Sequence, residues 1–169
     1  MRGMTGQPTG RTPSDLSHAD IRAAAIALVE ATPDQQRAAV YEPSSRGLPR
    51  QWSYLPGDRA GGCLETMTAD QLGPIEALIE TSLGVPGHAL IRAAMDTERH
   101  RRELASGRPP AGDRYWIRIH GDPGSGRPWG WQLNGHHIAV HTWVTDQVVS
   151  VTPHFIGAEP AIISHGPAT

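Results

Sequence analysis

Hydrophobic positions along the chain change period near residue 115, and that change divides the chain into a helical part and a sheet part. Ahead of it, Ile21, Ala24, Ala25, Leu28 and Val29 recur at i, i+3, i+4, i+7 and i+8 behind a start signal at Ser17. That spacing predicts one amphipathic helix. Thr32 as N-cap, Pro33 beside it and Gln35 at capping-box spacing open a short second helix ending near Tyr41. A capping box at residues 68–71 starts a third, which turns Leu72, Ile75, Leu78 and Ile79 inward until Gly84 stops it. A fourth begins near Pro86, runs through Leu90, Ile91, Ala94 and Met95 to Leu104, and ends at Gly107. Between the second and third helices, seven prolines and glycines punctuate residues 42–67 and predict an ordered loop. Within it Trp52 and Tyr54 alternate like an edge segment, and Trp52 either anchors the loop to the core or stacks on a ligand.

From Tyr115 onward the period is two. Residues 115–120 start the sheet, and residues 129–155 read as three antiparallel strands with tight turns at Asn134-Gly135 and Asp146-Gln147. The glycine-rich connection 121–128 lacks the Gly-Lys-Ser/Thr of a phosphate-binding loop and leads into a strand, so it reads as a plain link. The architecture predicted is α+β, with N-terminal helices packed on a C-terminal antiparallel β-meander. Residues 1–13 have almost nothing apolar to bury and are expected to be a disordered arm, leaving a single domain over 14–169.

Composition narrows the function without naming it. Fifteen basic and seventeen acidic side chains give a net charge of -2, so no electrostatic footprint for nucleic acid or an anionic membrane stands out. No apolar run approaches the roughly 20 residues of a membrane span, and the N-terminus has no signal-peptide core; a soluble, cytoplasmic protein acting on a small molecule is expected. The single cysteine, Cys63, has no partner for a disulfide and no metal or redox spacing.

What does stand out is residues 129–155, which hold three of the five tryptophans and four of the nine histidines. With Asp146-Gln147 as the turn, Ile138, Val140, Thr142 and Val144 line a core face that continues through Val149 and Val151 to Phe155. The opposite face carries His137, His141 and Trp143, with His154 diagonally adjacent to both histidines. Counting from Asn134-Gly135 sets Gln132 opposite His137, and Arg118 and His120 join this face if the first strand does.

Imidazole is the commonest metal ligand and the usual general base near neutral pH, so the cluster points to metal or acid–base chemistry. Distance limits it. His137 and His141 are ~13 Å apart along a strand at ~3.3 Å per residue, so His154 is the easier partner for either. His136 and His137 point to opposite faces unless a bulge after Gly135 brings them together. Glu98 falls on the same helical stripe as Ile91, either as a functional carboxylate facing the core or at its edge, paired with Arg101 or Arg102. The alternative is a solvated open face on which histidines and tryptophans form hydrogen bonds or cover the surface. There is no HExxH and no G-x-S-x-G.

Three segments carry a resemblance: Trp129-Gly130-Trp131, Gly135-His136-His137, and the run Thr152-Pro153-His154-Phe155-Ile156-Gly157-Ala158-Glu159-Pro160-Ala161. Together they resemble a large bacterial family of unknown function, the domain-of-unknown-function family numbered thirty-five hundred. The likeness extends over roughly residues 32–161, and its Gly-His-His turn is the most specific part. The resemblance implies no activity. In its pattern His136 and His137 match the double histidine, whereas position 141 is more often Asn, which counts against His141 as a shared ligand. Family members continue beyond the Gly-Ala-x-Pro-Ala segment, so a truncated or minimal version is expected here.

The leading expectation is a metal-dependent enzyme holding a divalent or redox ion at His136, His137 and His154, with Glu98 and His137 as catalytic groups. Trp129, Trp131, Gln132 and His141 are the candidates for binding a substrate. The alternatives are a metal-free small-molecule-binding module with Trp129, Trp131 or Trp143 as platform, and a structural or interaction domain.

Overall fold

The computed structural model describes residues 17–50 and 52–160; the arm expected at 1–13 lies outside them. Helix α1 (His18–Ala31) begins where the Ser17 hydroxyl accepts the Asp20 amide, and it buries Ile21, Ala25 and Leu28 completely. Thr32 closes this helix instead of opening the next. Its hydroxyl donates to the Leu28 carbonyl at 2.6 Å, so it is not available as a cap, and Pro33 is the N-cap residue of α2 (Asp34–Val40).

Helical structure resumes in α3 (Ala69–Ser106). The Gln71 side chain reaches back to accept the Thr68 amide at 3.1 Å, and its amide nitrogen ties α3 to Gln36 of α2 at 2.9 Å. The two helices expected from sequence are the two arms of α3, separated at Gly84, where φ is 72° and ψ is 170°. That conformation is accessible to glycine and costly for a residue with a Cβ, and Pro86 then sits in the first turn of the second arm.

The sheet comprises β1 (Tyr41–Glu42), β2 (Gly62–Cys63), β3 (Tyr115–His120), β4 (Trp129–Gly135), β5 (Ile138–Val144) and β6 (Val149–Ile156). Strand order is β1-β3-β4-β5-β6, with β2 also paired to β3; every pairing is antiparallel except β1 with β3. The α+β class and the C-terminal meander are as expected from sequence, with two short strands added from the loop region.

Two details of register differ from the expectation. The β4–β5 hairpin turns at His136-His137 and not at Asn134-Gly135: Gly135 pairs with Ile138, and Gln132 lies opposite His141 instead of His137. In the β5–β6 hairpin the pairing is as counted from Val144 opposite Val149 to Thr142 opposite Val151, and then β6 gains one residue. Beyond that bulge His154 pairs with Val140 and Phe155 with Ala139, so these two side chains exchange the faces expected for them.

One face of the sheet meets α1 and α3 in a core that includes Ile117, Ile119, Trp129, Trp131, Leu133 and Val140. For the other face, the alternative to a histidine site was a solvated surface. The face is instead covered by residues 43–50 and 52–61, called the strap below. Leu48 lies against Gly130, the Ala60 carbonyl is 3.5 Å from Gln132 Nε2, the Tyr54 carbonyl accepts the His137 amide at 2.8 Å, and Trp52 and Tyr54 lean on Phe155.

Candidate functional site

The site forms at the tip of the β4–β5 hairpin. A two-residue turn needs backbone outside the ordinary regions, and His137 supplies it with φ 62°, a conformation in which histidine is among the more tolerated non-glycine residues. Three hydrogen bonds hold the tip. The His137 amide donates to Tyr54 in the strap, its carbonyl accepts the Gly157 amide at 2.7 Å beyond β6, and the Tyr115 hydroxyl donates to the His136 carbonyl at 3.2 Å. Burial first, and then the nearby Glu98 charge, push the Tyr115 phenol far above its ordinary range, so it remains a donor at any physiological pH.

The turn answers how two consecutive histidines can act together. No bulge is needed, because both residues lie outside the alternating strand and their rings sit 3.9 Å apart, centre to centre. Behind them is α3. Glu98 is 8% exposed, its Oε2 lies 2.8 Å from His136 Nδ1, and Arg101 clamps the same carboxylate with bonds of 2.8 and 2.7 Å. Glu98 therefore combines both placements considered from sequence: it faces inward and pairs with Arg101, one helical turn on. Burial by itself would raise its carboxyl pKa, but the bonds and charges of Arg101 and His136 outweigh burial and hold it below the ordinary range. An ionised carboxylate can only accept, so the His136 ring donates to Glu98 through a proton on Nδ1, which turns its other nitrogen, Nε2, away from Glu98.

On the other side of the turn, His137 Nε2 lies 3.3 Å from Glu159 Oε2 in the segment after β6. His136, His137 and Glu159 each offer a ligand atom, and these three atoms lie within 4.8 Å of one another. Two imidazoles and a carboxylate are a donor set that suits zinc or a redox-active ion such as iron, and a carboxylate on the far ring nitrogen, as Glu98 is on His136, is the kind of outer contact found behind metal-binding histidines.

Of the residues proposed from sequence, Glu98, His136 and His137 come together. His154 does not join them: the β6 bulge pairs it with Val140 on an edge strand, where it is exposed. Trp129 and Trp131 cannot serve as a ligand platform, because both are fully buried in the core and Trp131 Nε1 donates to Ser82 Oγ of α3 at 3.1 Å. Trp143 is partly buried, opposite Gly130 and Ser150. Gln132 and His141 pair across β4 and β5, but under the strap and away from the turn. His141 Nε2 is 3.0 Å from Asn134 Oδ1; burial, and then the charge of His120, push its pKa down to about 4. Glu159 was not among the residues singled out from sequence. It is 22 positions from His137, and nothing in that spacing marks it; only the return of the chain past the turn brings it in. Cys63 stands apart, and burial raises its thiol pKa, which suits an unreactive side chain.

A family model described as "Protein of unknown function (DUF3500)" matches residues 14–169, and the chain belongs to that family. Comparison with curated proteins and with solved structures gave no match. Among the described residues no helix is long and apolar enough to cross a membrane.

Proposed function

We propose that the chain binds a divalent or redox-active metal ion through His136, His137 and Glu159 and uses it in an enzymatic reaction on a small molecule. One observation carries this reading: three side chains of suitable chemistry offer ligand atoms within 4.8 Å of one another. The Glu98 contact to His136 supports it, since that bond holds a proton on Nδ1 and fixes the direction of the ring, as an outer contact to a ligating histidine does. Three protein ligands leave coordination positions open, through which such an ion polarises a substrate oxygen or lowers the pKa of a bound water. In this scheme Glu98 positions His136, and Arg101 keeps Glu98 ionised.

The test is metal content of protein purified without a histidine tag. About one ion per chain is expected in the parent, with little retained in His137→Ala. Glu98→Gln should bind the same ion roughly 10- to 100-fold more weakly, the usual cost of losing an outer contact to a ligating histidine. A parent that takes up only substoichiometric metal, after incubation with zinc and with iron(II) in turn, would sink the metal reading. The Glu98–His136 pair would then be read as a metal-free acid–base pair, for which the 2.8 Å bond already provides the geometry.

A further inference from the structure

Beside the Glu98–His136 pair lies a cavity of about 210 Å³ lined on one side by the strap at Pro56 and Gly57. Its walls are His136, Glu98, Trp116 and three arginines: Arg101, Arg102 and Arg114. Each guanidinium is held from outside the cavity or along its wall. Arg101 is on Glu98, Arg102 bonds the Gly112 carbonyl at 2.7 Å and Glu65 at 3.2 Å, and Arg114 pairs with Asp58 while its guanidinium carbon lies 5.9 Å from the centre of the Trp116 ring. A guanidinium has five N–H donors, and these contacts occupy no more than two on any of the three. Partly engaged arginines on several sides of a small cavity present donors to an acceptor within it.

We infer that this cavity holds the carboxylate of a small organic acid, placing the body of the molecule next to His136. The inference names the substrate class of the proposed metal site and rests on that reading only for its orientation, since His136 belongs to both. Charge selects the monoanion. Glu98, Glu65 and Asp58 already offset the three arginines, so the cavity offers directed hydrogen bonds without a large excess of positive charge. A planar monoanionic carboxylate matches the guanidinium fork and adds one negative charge beside Glu98, whereas a phosphate dianion adds two. At about 210 Å³ the space is below the range of drug-sized pockets, which fits a small acid and not a nucleotide.

Calorimetric titration of the full chain with acetate, benzoate and inorganic phosphate, with and without prior removal of metal by chelation, tests this. Benzoate or acetate should bind more tightly than phosphate. Arg114→Gln should weaken carboxylate binding by tenfold to a hundredfold, the worth of a hydrogen bond to a charged group, while leaving metal stoichiometry unchanged. Arg114 is half exposed at its side chain, and Arg114→Lys, which keeps the charge and loses the fork, should recover only part of the affinity. The assignment is overturned if no carboxylate binds, if phosphate binds as well as the carboxylates, or if Arg114→Gln binds them as the parent does. Carboxylate binding that depends on Arg114 in a protein that takes up no metal would uphold the cavity and sink the metal; metal uptake with no carboxylate binding would do the reverse.

Discussion

On the side of the sheet that meets α1 and α3, Ile117, Ile119, Leu133 and Val140 are fully buried among apolar neighbours. On the side under the strap the same strands present Arg118, His120, Gln132, Asn134 and His141, and the last four are at most 5% exposed. The helix side is held by removing hydrocarbon from water, which needs no directional partner. The strap side has to satisfy polar atoms in a dry place, and it does so incompletely: among the described residues Nδ1 of His141 and Nε of Arg118 have no hydrogen-bond partner, and His120 has only weak ones in Gln132 and in Glu42, whose Oε2 lies 3.5 Å from its Nδ1, against Nε1 of Trp129 and Oγ1 of Thr142 on the helix side. Burial of equal depth therefore has unequal worth. The helix side supplies the stability, and the strap side is where stability depends on conditions.

The largest expected effect comes from the helix side. Trp131→Ala removes a fully buried indole and its bond to Ser82, and should cost about 3–5 kcal/mol in urea-induced unfolding. A loss near 1 kcal/mol would mean that the two sides contribute alike. The next effect belongs to the strap side and is a dependence on pH. The folded state prefers neutral His141: its pKa falls from 6.5 to about 4. Its contribution is thus complete above pH 6.5 and is lost as the pH drops towards and through 4, at most about 3 kcal/mol. His120 is shifted in the same direction, burial first among its causes, and adds to the same window. Urea midpoints between pH 7.5 and 4.5 should fall steeply in the parent and less steeply in His141→Asn. Parallel curves for the two proteins would show that the buried imidazole is not the group that titrates.

The same contrast explains what could be read from sequence. Apolar periodicity and caps are local signals, and they located α1, both arms of α3 and the break at Gly84. The alternation put the residues of β5, Gln132 of β4 and Arg118 and His120 of β3 on the right faces but left Trp129 and Trp131 as a binding platform when they lie in the core, and an alternation of polar residues reports only that a face is not the hydrocarbon core. Whether water or a strap covers it depends on residues 43–50 and 52–61, which lie far away in sequence. The turn was misplaced for a similar reason. Asn134-Gly135 is a strong hairpin cue, yet Gly135 is needed for space: a Cβ there would come within 2.3 Å of the Tyr115 ring on the neighbouring strand. Because the turn moved by two residues, faces were preserved while Gln132 acquired a different partner. At the candidate site, Glu98, His136 and His137 were visible through spacing and clustering, whereas Glu159 and Arg114 arrive through the fold alone. The β6 bulge, with no marker in the pattern, removed His154.

The smallest expected effect asks whether the strap is a cover or part of the core. Trp52 is 43% exposed, and its ring centre lies 6.2 Å from Tyr54 and 6.1 Å from Phe155, so its hold on the sheet is a pair of tilted aromatic contacts worth about 0.5–1.5 kcal/mol each. Trp52→Ala should lower global stability by about 1 kcal/mol while loosening the strap selectively. The His137 amide reports this, because its hydrogen bond is to the Tyr54 carbonyl, whereas the Gly157 amide bonds to His137 itself. Hydrogen exchange at His137 should accelerate in the variant, with the amides inside β4 and β5 unchanged, as expected when one segment opens without global unfolding. If Trp52→Ala instead costs as much as Trp131→Ala and exchange rises uniformly across the sheet, the strap unfolds together with the core. The polar face would then be as integral to stability as the apolar one.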